Sequence, residues 1–160
     1  MAKVQKKLQI QLLKSFKMIN MFQNILVLAP HTDDGELGAG GTISKLIENS
    51  ANVFYAAFST AEQSVPDGFP KDILKTEVKN ATKKLGIKDE NLMIFNYEVR
   101  KLNYVRQEIL DELVRIRNTC HFDLVLMPSL KDIHQDVGTL DVFAKDPFSV
   151  KLKTSLRASS

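Results

Sequence analysis

Two short stretches of the sequence gather side chains that can hold a metal and move protons. Residues 30–38 read Pro30-His31-Thr32-Asp33-Asp34-Gly35-Glu36-Leu37-Gly38, and residues 128–136 end in His134-Gln135-Asp136. A neutral imidazole nitrogen and a carboxylate oxygen are both ordinary zinc ligands, at about 2.0–2.2 Å from the ion. His31 and Asp34 are three apart, so a single turn brings both to one ion. Asp33 then points elsewhere, placed to take a proton from water. Asp-Asp after a strand is also the composition of a helix N-cap with a second carboxylate near the helix dipole. The first stretch alone leaves both readings open. Gly38, Gly40 and Gly41 are expected to let the backbone approach this loop closely as the next helix starts. His134 with Asp136 is a second polar pair, and His121 is read as structural.

The elements must bring the two loops together. Residues 25–29 are five consecutive apolar residues, the pattern of a strand buried on both faces of a parallel sheet. Ile43, Leu46 and Ile47 give residues 40–47 the stripe of a helix. Residues 53–58, 92–95 and 123–127 read as further strands. Helices are expected over 72–85, with Asp72 as cap and Gly86 as stop, and over 104–118, with Ile109, Leu113 and Ile116 inward. Pro66, Gly68 and Pro70 make 59–70 irregular. Strands alternating with helices imply βαβ units and an α/β parallel sheet with helices on both faces, in one three-layer domain. Ligands bind such sheets at the carboxyl ends of the strands. The loops after Ala29, Phe58 and Met127 open there, whereas His121 lies at the opposite edge.

At 160 residues the chain has room for one domain, and 44% hydrophobic with 26% charged residues excludes a disordered chain. No apolar run is long enough to cross a bilayer. The single Cys120 excludes an internal disulfide and suits a reducing, cytoplasmic setting. Net charge is +3, yet Lys3, Lys6, Lys7, Lys14 and Lys17 sit in the first twenty residues without any acidic partner, so the remainder is net acidic by two. That argues against a nucleic-acid footprint on the folded body. Leu8, Leu12, Phe16 and Ile19 at helical spacing make residues 1–22 a basic amphipathic leader: a docked helix, a membrane-surface segment or a start-site extension. It lacks the continuous apolar core of a signal peptide.

The sequence Pro30-His31-Thr32-Asp33-Asp34, then Glu36-Leu37-Gly38, then His134-Gln135-Asp136, resembles the PIG-L (LmbE-like) family of zinc-dependent N-deacetylases. The similarity runs over residues 24–136 and takes in Glu77, Ala81 and Leu85-Gly86, with Asp123-Leu124-Val125. It implies a Rossmann-like deacetylase over residues 23–137, acting on a small N-acetylglucosamine-type amino sugar. His31 and Asp34 match zinc ligands, and Asp33 matches the general base for the attacking water. His134 matches the histidine that stabilises the oxyanion or protonates the leaving amine, with Asp136 orienting it. Assembly into a homo-oligomer stays open.

Val137 departs from the family pattern, His-x-Asp-His, whose last histidine is the third zinc ligand. A catalytic zinc normally has three protein ligands, and valine cannot coordinate. Asp136, in an extended loop, is expected to project away from the side of residue 137. The similarity stops at Asp136, the pattern of a truncated or frame-shifted copy, and residues 138–160 are expected to be a loosely packed tail. Where family members often carry an arginine on the helix of Glu77, this chain has Leu74 and Lys75; Lys75 brings charge but no bidentate fork. The competing reading is a non-catalytic remnant or binding domain of the same fold. A dinucleotide site is disfavoured, because Gly38-x-Gly40-Gly41 lacks the phosphate-loop spacing and Asp33-Asp34 would repel a pyrophosphate.

Overall fold

A computed structural model describes residues 22–128 together with Gln5, Asp136, Val137 and Thr139. The apolar run becomes the middle of β1 (Asn24–His31). Its side chains alternate between the two faces of the sheet. Ile25, Val27 and Ala29 enter one core cluster, and Leu26 and Leu28 enter the other. β2 (Asn52–Ser59) divides likewise, with Tyr55 and Ala57 on the first side and Ala56 and Phe58 on the second. β3 (Leu92–Ile94) and β4 (Leu124–Leu126) are short and, among the described residues, make up a four-stranded sheet in the order β3-β2-β1-β4. Every pairing is parallel.

Among the described residues three helices cover the sheet: α1 (Asp34–Glu48), α2 (Ile73–Leu85) and α3 (Arg106–Arg117). Ile43 and Leu46 of α1 and Val78 of α2 pack on the Ile25–Val27–Ala29 side, while Ile109, Leu113 and Ile116 of α3 pack with Leu26, Leu28 and Phe58 on the other. The expected three-layer α/β arrangement is therefore present. Gly86, at φ +90°, closes α2 in the left-handed conformation that glycine accepts without strain.

Two local expectations need correction. Asp72 stands at the N-cap of α2 but makes no side-chain capping bond among the described residues. Helix α1 begins at Asp34, six residues before the start expected at residue 40. Asp34 and Glu36 in the first turn favour this start by facing the positive end of the helix dipole. Gly38, Gly40 and Gly41 thus lie inside the helix. No described atom comes within 4 Å of a Cβ built at Gly38 or Gly41, and Gly40 meets only Leu85, at 3.7 Å. They do not serve close backbone approach. The leader apart from Gln5 and Phe22, and all of the tail except Thr139, fall outside the described residues.

The base of the sheet is tied by Asp123. Its Oδ2 accepts the main-chain N–H groups of Gln23 at 2.8 Å and Asn24 at 2.9 Å, which lowers its pKa below the usual aspartate range. A depressed carboxyl pKa gives stability that is present above the unfolded value, about 3.9, and lost as pH falls through the folded one. Asp123→Asn should therefore lower the melting temperature at pH 7, and the gap to the natural chain should be smaller at pH 3 than at pH 7. An equal gap at both pH values would contradict this role.

Candidate functional site

The strand order sets the location of the site. From β1 the chain moves outward through β2 to β3, then returns to place β4 on the other side of β1. The switch point of the sheet lies between β1 and β4, where α/β folds open a crevice at the carboxyl ends of the strands. His31 is the last residue of β1, in register with Ser59 of β2.

Beyond His31 the chain folds back on itself. The Asp34 carboxylate accepts the main-chain N–H of His31 at 2.8 Å, and the same oxygen lies 3.1 Å from His31 Nδ1. The predicted turn that unites His31 and Asp34 is therefore formed. Asp33 occupies the N-cap position of α1, with its side chain exposed beside the pair and making no capping bond among the described residues.

The other ring nitrogen of His31, Nε2, lies 3.1 Å from Asp136 Oδ2. Asp136 is fully buried and also accepts the N–H groups of Arg100 at 2.7 Å and Leu102 at 3.3 Å. Burial works against a charged imidazole, but hydrogen bonds to Asp34 and Asp136 outweigh it and raise the His31 pKa above the ordinary histidine value. Val137 is buried too, at 3% exposure, and both residues have helical backbone. The expectation that Asp136 turns away from the side of residue 137 fails here, since neighbours in a helix diverge by only about 100°. His134 lies outside the described residues.

Beneath the loop stands Tyr55, an isolated phenol in a buried strand. Its hydroxyl accepts the N–H of Gly35 at 3.1 Å and donates to Glu36 Oε2 at 2.9 Å, with the Thr32 carbonyl at 3.2 Å. Burial and the neighbouring Glu36 carboxylate keep the phenol protonated, and burial likewise raises the pKa of Glu36. The sequence reading gave Gly35 and Tyr55 no role. The available signal was one hydroxyl-bearing residue within the otherwise apolar run of β2. His121, read as structural, is 90% exposed, with its ring 3.9 Å from Asp123; no core role is evident. Lys75 lines a separate groove of about 530 Å³ with Lys79, Asn80, Lys83 and Leu92, away from His31 and Asp136.

Comparison with known proteins bears directly on this constellation. Residues 26–142 match the family profile PIG-L, described as GlcNAc-PI de-N-acetylase. The chain belongs to the PIG-L family. It is 30% identical over 114 residues to a diacetylchitobiose deacetylase of Thermococcus kodakarensis, covering 68% of this chain and 42% of that protein. The N,N'-diacetylchitobiose deacetylase of Pyrococcus horikoshii superposes with a TM-score of 0.70 at 25% identity, over 79% of this chain and 49% of the other. This PIG-L chain thus spans about half the length of the relatives it matches. A 4-carboxy-2-hydroxymuconate hydratase from Pseudomonas putida shares the fold, with a TM-score of 0.66 at 18% identity over 84% of this chain and 62% of the other. The PIG-L fold alone therefore does not fix the reaction.

The donor set bears on whether a PIG-L metal has a place here. No group of three or more His, Cys, Asp and Glu side chains among the described residues is arranged to hold an ion. The His31 Nδ1 and Asp34 Oδ2 pair nevertheless presents a nitrogen and an oxygen side by side, and Nε2 is tied to a buried carboxylate. Histidine ligands are commonly supported in that way. The two described donors fit a divalent cation, while residue 137 supplies none. A cation held there would polarise an amide carbonyl and acidify water. The chain's own contribution would be an exposed carboxylate, Asp33, beside the pair and within the crevice.

Proposed function

We propose that this chain carries a zinc-dependent N-deacetylase site that removes an acetyl group from a small amino-sugar substrate, and that Val137 weakens it. The carrying observation is the meeting of His31, Asp34 and Asp136 at the switch point of the sheet, with Asp33 exposed beside them. His31 and Asp34 hold the metal, and Asp33 takes the proton from the attacking water. His134 donates to the oxyanion or to the leaving amine. The diacetylchitobiose deacetylases among the relatives support an N-acetylated amino sugar as the substrate class. No helix among the described residues is long and apolar enough to cross a membrane, and the cytoplasmic location is proposed from the single cysteine alone.

Release of free amine from N-acetylglucosamine derivatives, with zinc added, tests this reading. Slow release is expected, reduced by a further ~10²–10⁴-fold in Asp33→Asn, the usual contribution of a general base. Release that Asp33→Asn leaves unchanged would overturn the assignment of the base. Fast release by the natural chain would overturn the role given to Val137. A second reading, a binding domain without catalysis, is favoured by Val137 itself. It gains if neither the natural chain nor Val137→His releases amine while both bind the sugar.

A further inference from the structure

Away from the His31 crevice, α2 and β3 line a groove of about 530 Å³ whose charge runs against that of the folded body. Lys75, Lys79 and Lys83 stand along it at four-residue intervals, all exposed, facing Leu92 and Ile94 of β3, with Asp89 as the acid on its wall. Beyond residue 20 the chain is net acidic, yet α2 carries four lysines and one glutamate. Elsewhere Lys45, Lys88 and Lys101 each pair with a glutamate. The three groove lysines make no ion pair among the described residues. Helix stability does not account for them. Like charges four apart on a helix repel, and Lys75 stands in the first turn, at the positive end of the helix dipole. Lys83, in the last turn, is the one that suits the helix itself.

The opposite wall of the groove is a strand edge. Among the described residues β3 pairs with β2 alone. The Phe95 N–H reaches the Ala57 carbonyl of β2 at 2.8 Å, so the main-chain groups of its neighbour Ile94 turn to the outer edge. Outward N–H and C=O groups are a template for another extended chain. Every second side chain of such a chain projects to the α2 side, about 6.6 Å from the last. Lysines four apart on a helix are spaced by about 6 Å. Three acidic residues at alternate positions therefore match the three lysines. A nucleic-acid backbone has no such fit, because no aromatic side chain lines the groove to stack a base.

We propose that this groove docks an extended acidic segment of a partner polypeptide, added to the outer edge of β3 with alternate Asp or Glu side chains on Lys75, Lys79 and Lys83. The proposal is independent of the deacetylase reading.

A fluorescent decapeptide alternating threonine and glutamate, mixed with the natural chain, tests it by anisotropy. Binding should weaken about tenfold or more when salt rises from about 0.05 to 0.5 M, since exposed charges are screened. Replacing all three lysines by alanine should weaken it roughly tenfold. The melting temperature should hold, because the sites are exposed and alanine favours helix. The Ile94 amide should exchange more slowly with solvent in the complex. A peptide of the same composition with its glutamates in one block should bind several-fold less well. Equal binding by the block peptide, binding that survives the triple replacement, or an Ile94 amide left unprotected would each overturn the proposal. So would tighter binding of tripolyphosphate than of the peptide, which would make the groove a site for small anions. Absence of binding at low salt would also refute it and leave the lysines as guards that keep β3 from pairing.

Discussion

Val137→His should bind zinc at least 10–100-fold more tightly than the natural chain. The reasoning starts from ligand count. A catalytic zinc takes three protein donors, and His31 with Asp34 supplies two. Losing even a partner behind a ligand typically weakens binding 10–100-fold, so restoring a direct ligand should recover no less. Position 137 suits the test, because it is buried and follows directly on the residue that touches His31. The larger side chain carries an overpacking cost of about 1–3 kcal/mol, which should show as a lower melting temperature without metal. Zinc at a hundredfold excess over its dissociation constant returns about 2.7 kcal/mol, so melting of the variant should respond to zinc far more than melting of the natural chain. Val137→Leu, apolar and also larger, should share the cost without the response. Equal zinc affinity in the natural chain and Val137→His would show that position 137 does not face the metal.

The fold was legible in the sequence wherever one physical pattern dominated. Residues 25–29 could be placed because a strand buried on both faces must be apolar at every position, and both faces of β1 are indeed covered. The stripe Ile109, Leu113, Ile116 placed α3 for the complementary reason, since one face of the helix is buried and the other is not. The start of α1 was hidden because its first turns are chosen for chemistry. Asp34 is committed to His31 and Glu36 to Tyr55, and no apolar stripe marks the helix until Ile43. Of the site, His31 and Asp34 were legible as a local pair because three residues separate them. The contact between His31 and Asp136 was not legible. It spans 105 residues and depends on a left-handed Arg100, a conformation that arginine's identity does not advertise. The apparent glycine signal was misleading in the same way. Three of the four glycines in residues 35–41 face open space or ordinary contacts, and the fourth is the one with no room.

That fourth glycine supports the remaining prediction: Gly35→Ala should destabilise the protein by about 1–3 kcal/mol net, although alanine is the better helix former. In an exposed helix interior, replacing glycine by alanine gains roughly 0.8–1 kcal/mol. At Gly35 the new Cβ would stand 2.5 Å from Tyr55 Oη and Cε2, and 2.7 Å from Cζ. Tyr55 cannot withdraw, because it is fully buried in the core and its hydroxyl bonds the loop it would have to leave. Overpacking of this kind costs about 1–3 kcal/mol, and losing the bond from Gly35 N–H to the phenol adds about 1 kcal/mol. Set against the propensity gain, the net loss for a chain of this size corresponds to a fall of roughly 2–12 °C in melting temperature. Gly38→Ala and Gly41→Ala, where no described atom would meet the added methyl, should hold or raise the melting temperature. The three variants thus separate helix propensity from steric conflict. Tyr55→Phe removes the hydroxyl that the Cβ meets, so Gly35→Ala should cost less in that background than alone, a coupling expected of residues in direct contact. The loop that shifts carries Asp34, so zinc binding should weaken in Gly35→Ala along with stability. A Gly35→Ala protein as stable as the natural chain would mean that Tyr55 is not the fixed support on which the His31–Asp34 turn is built.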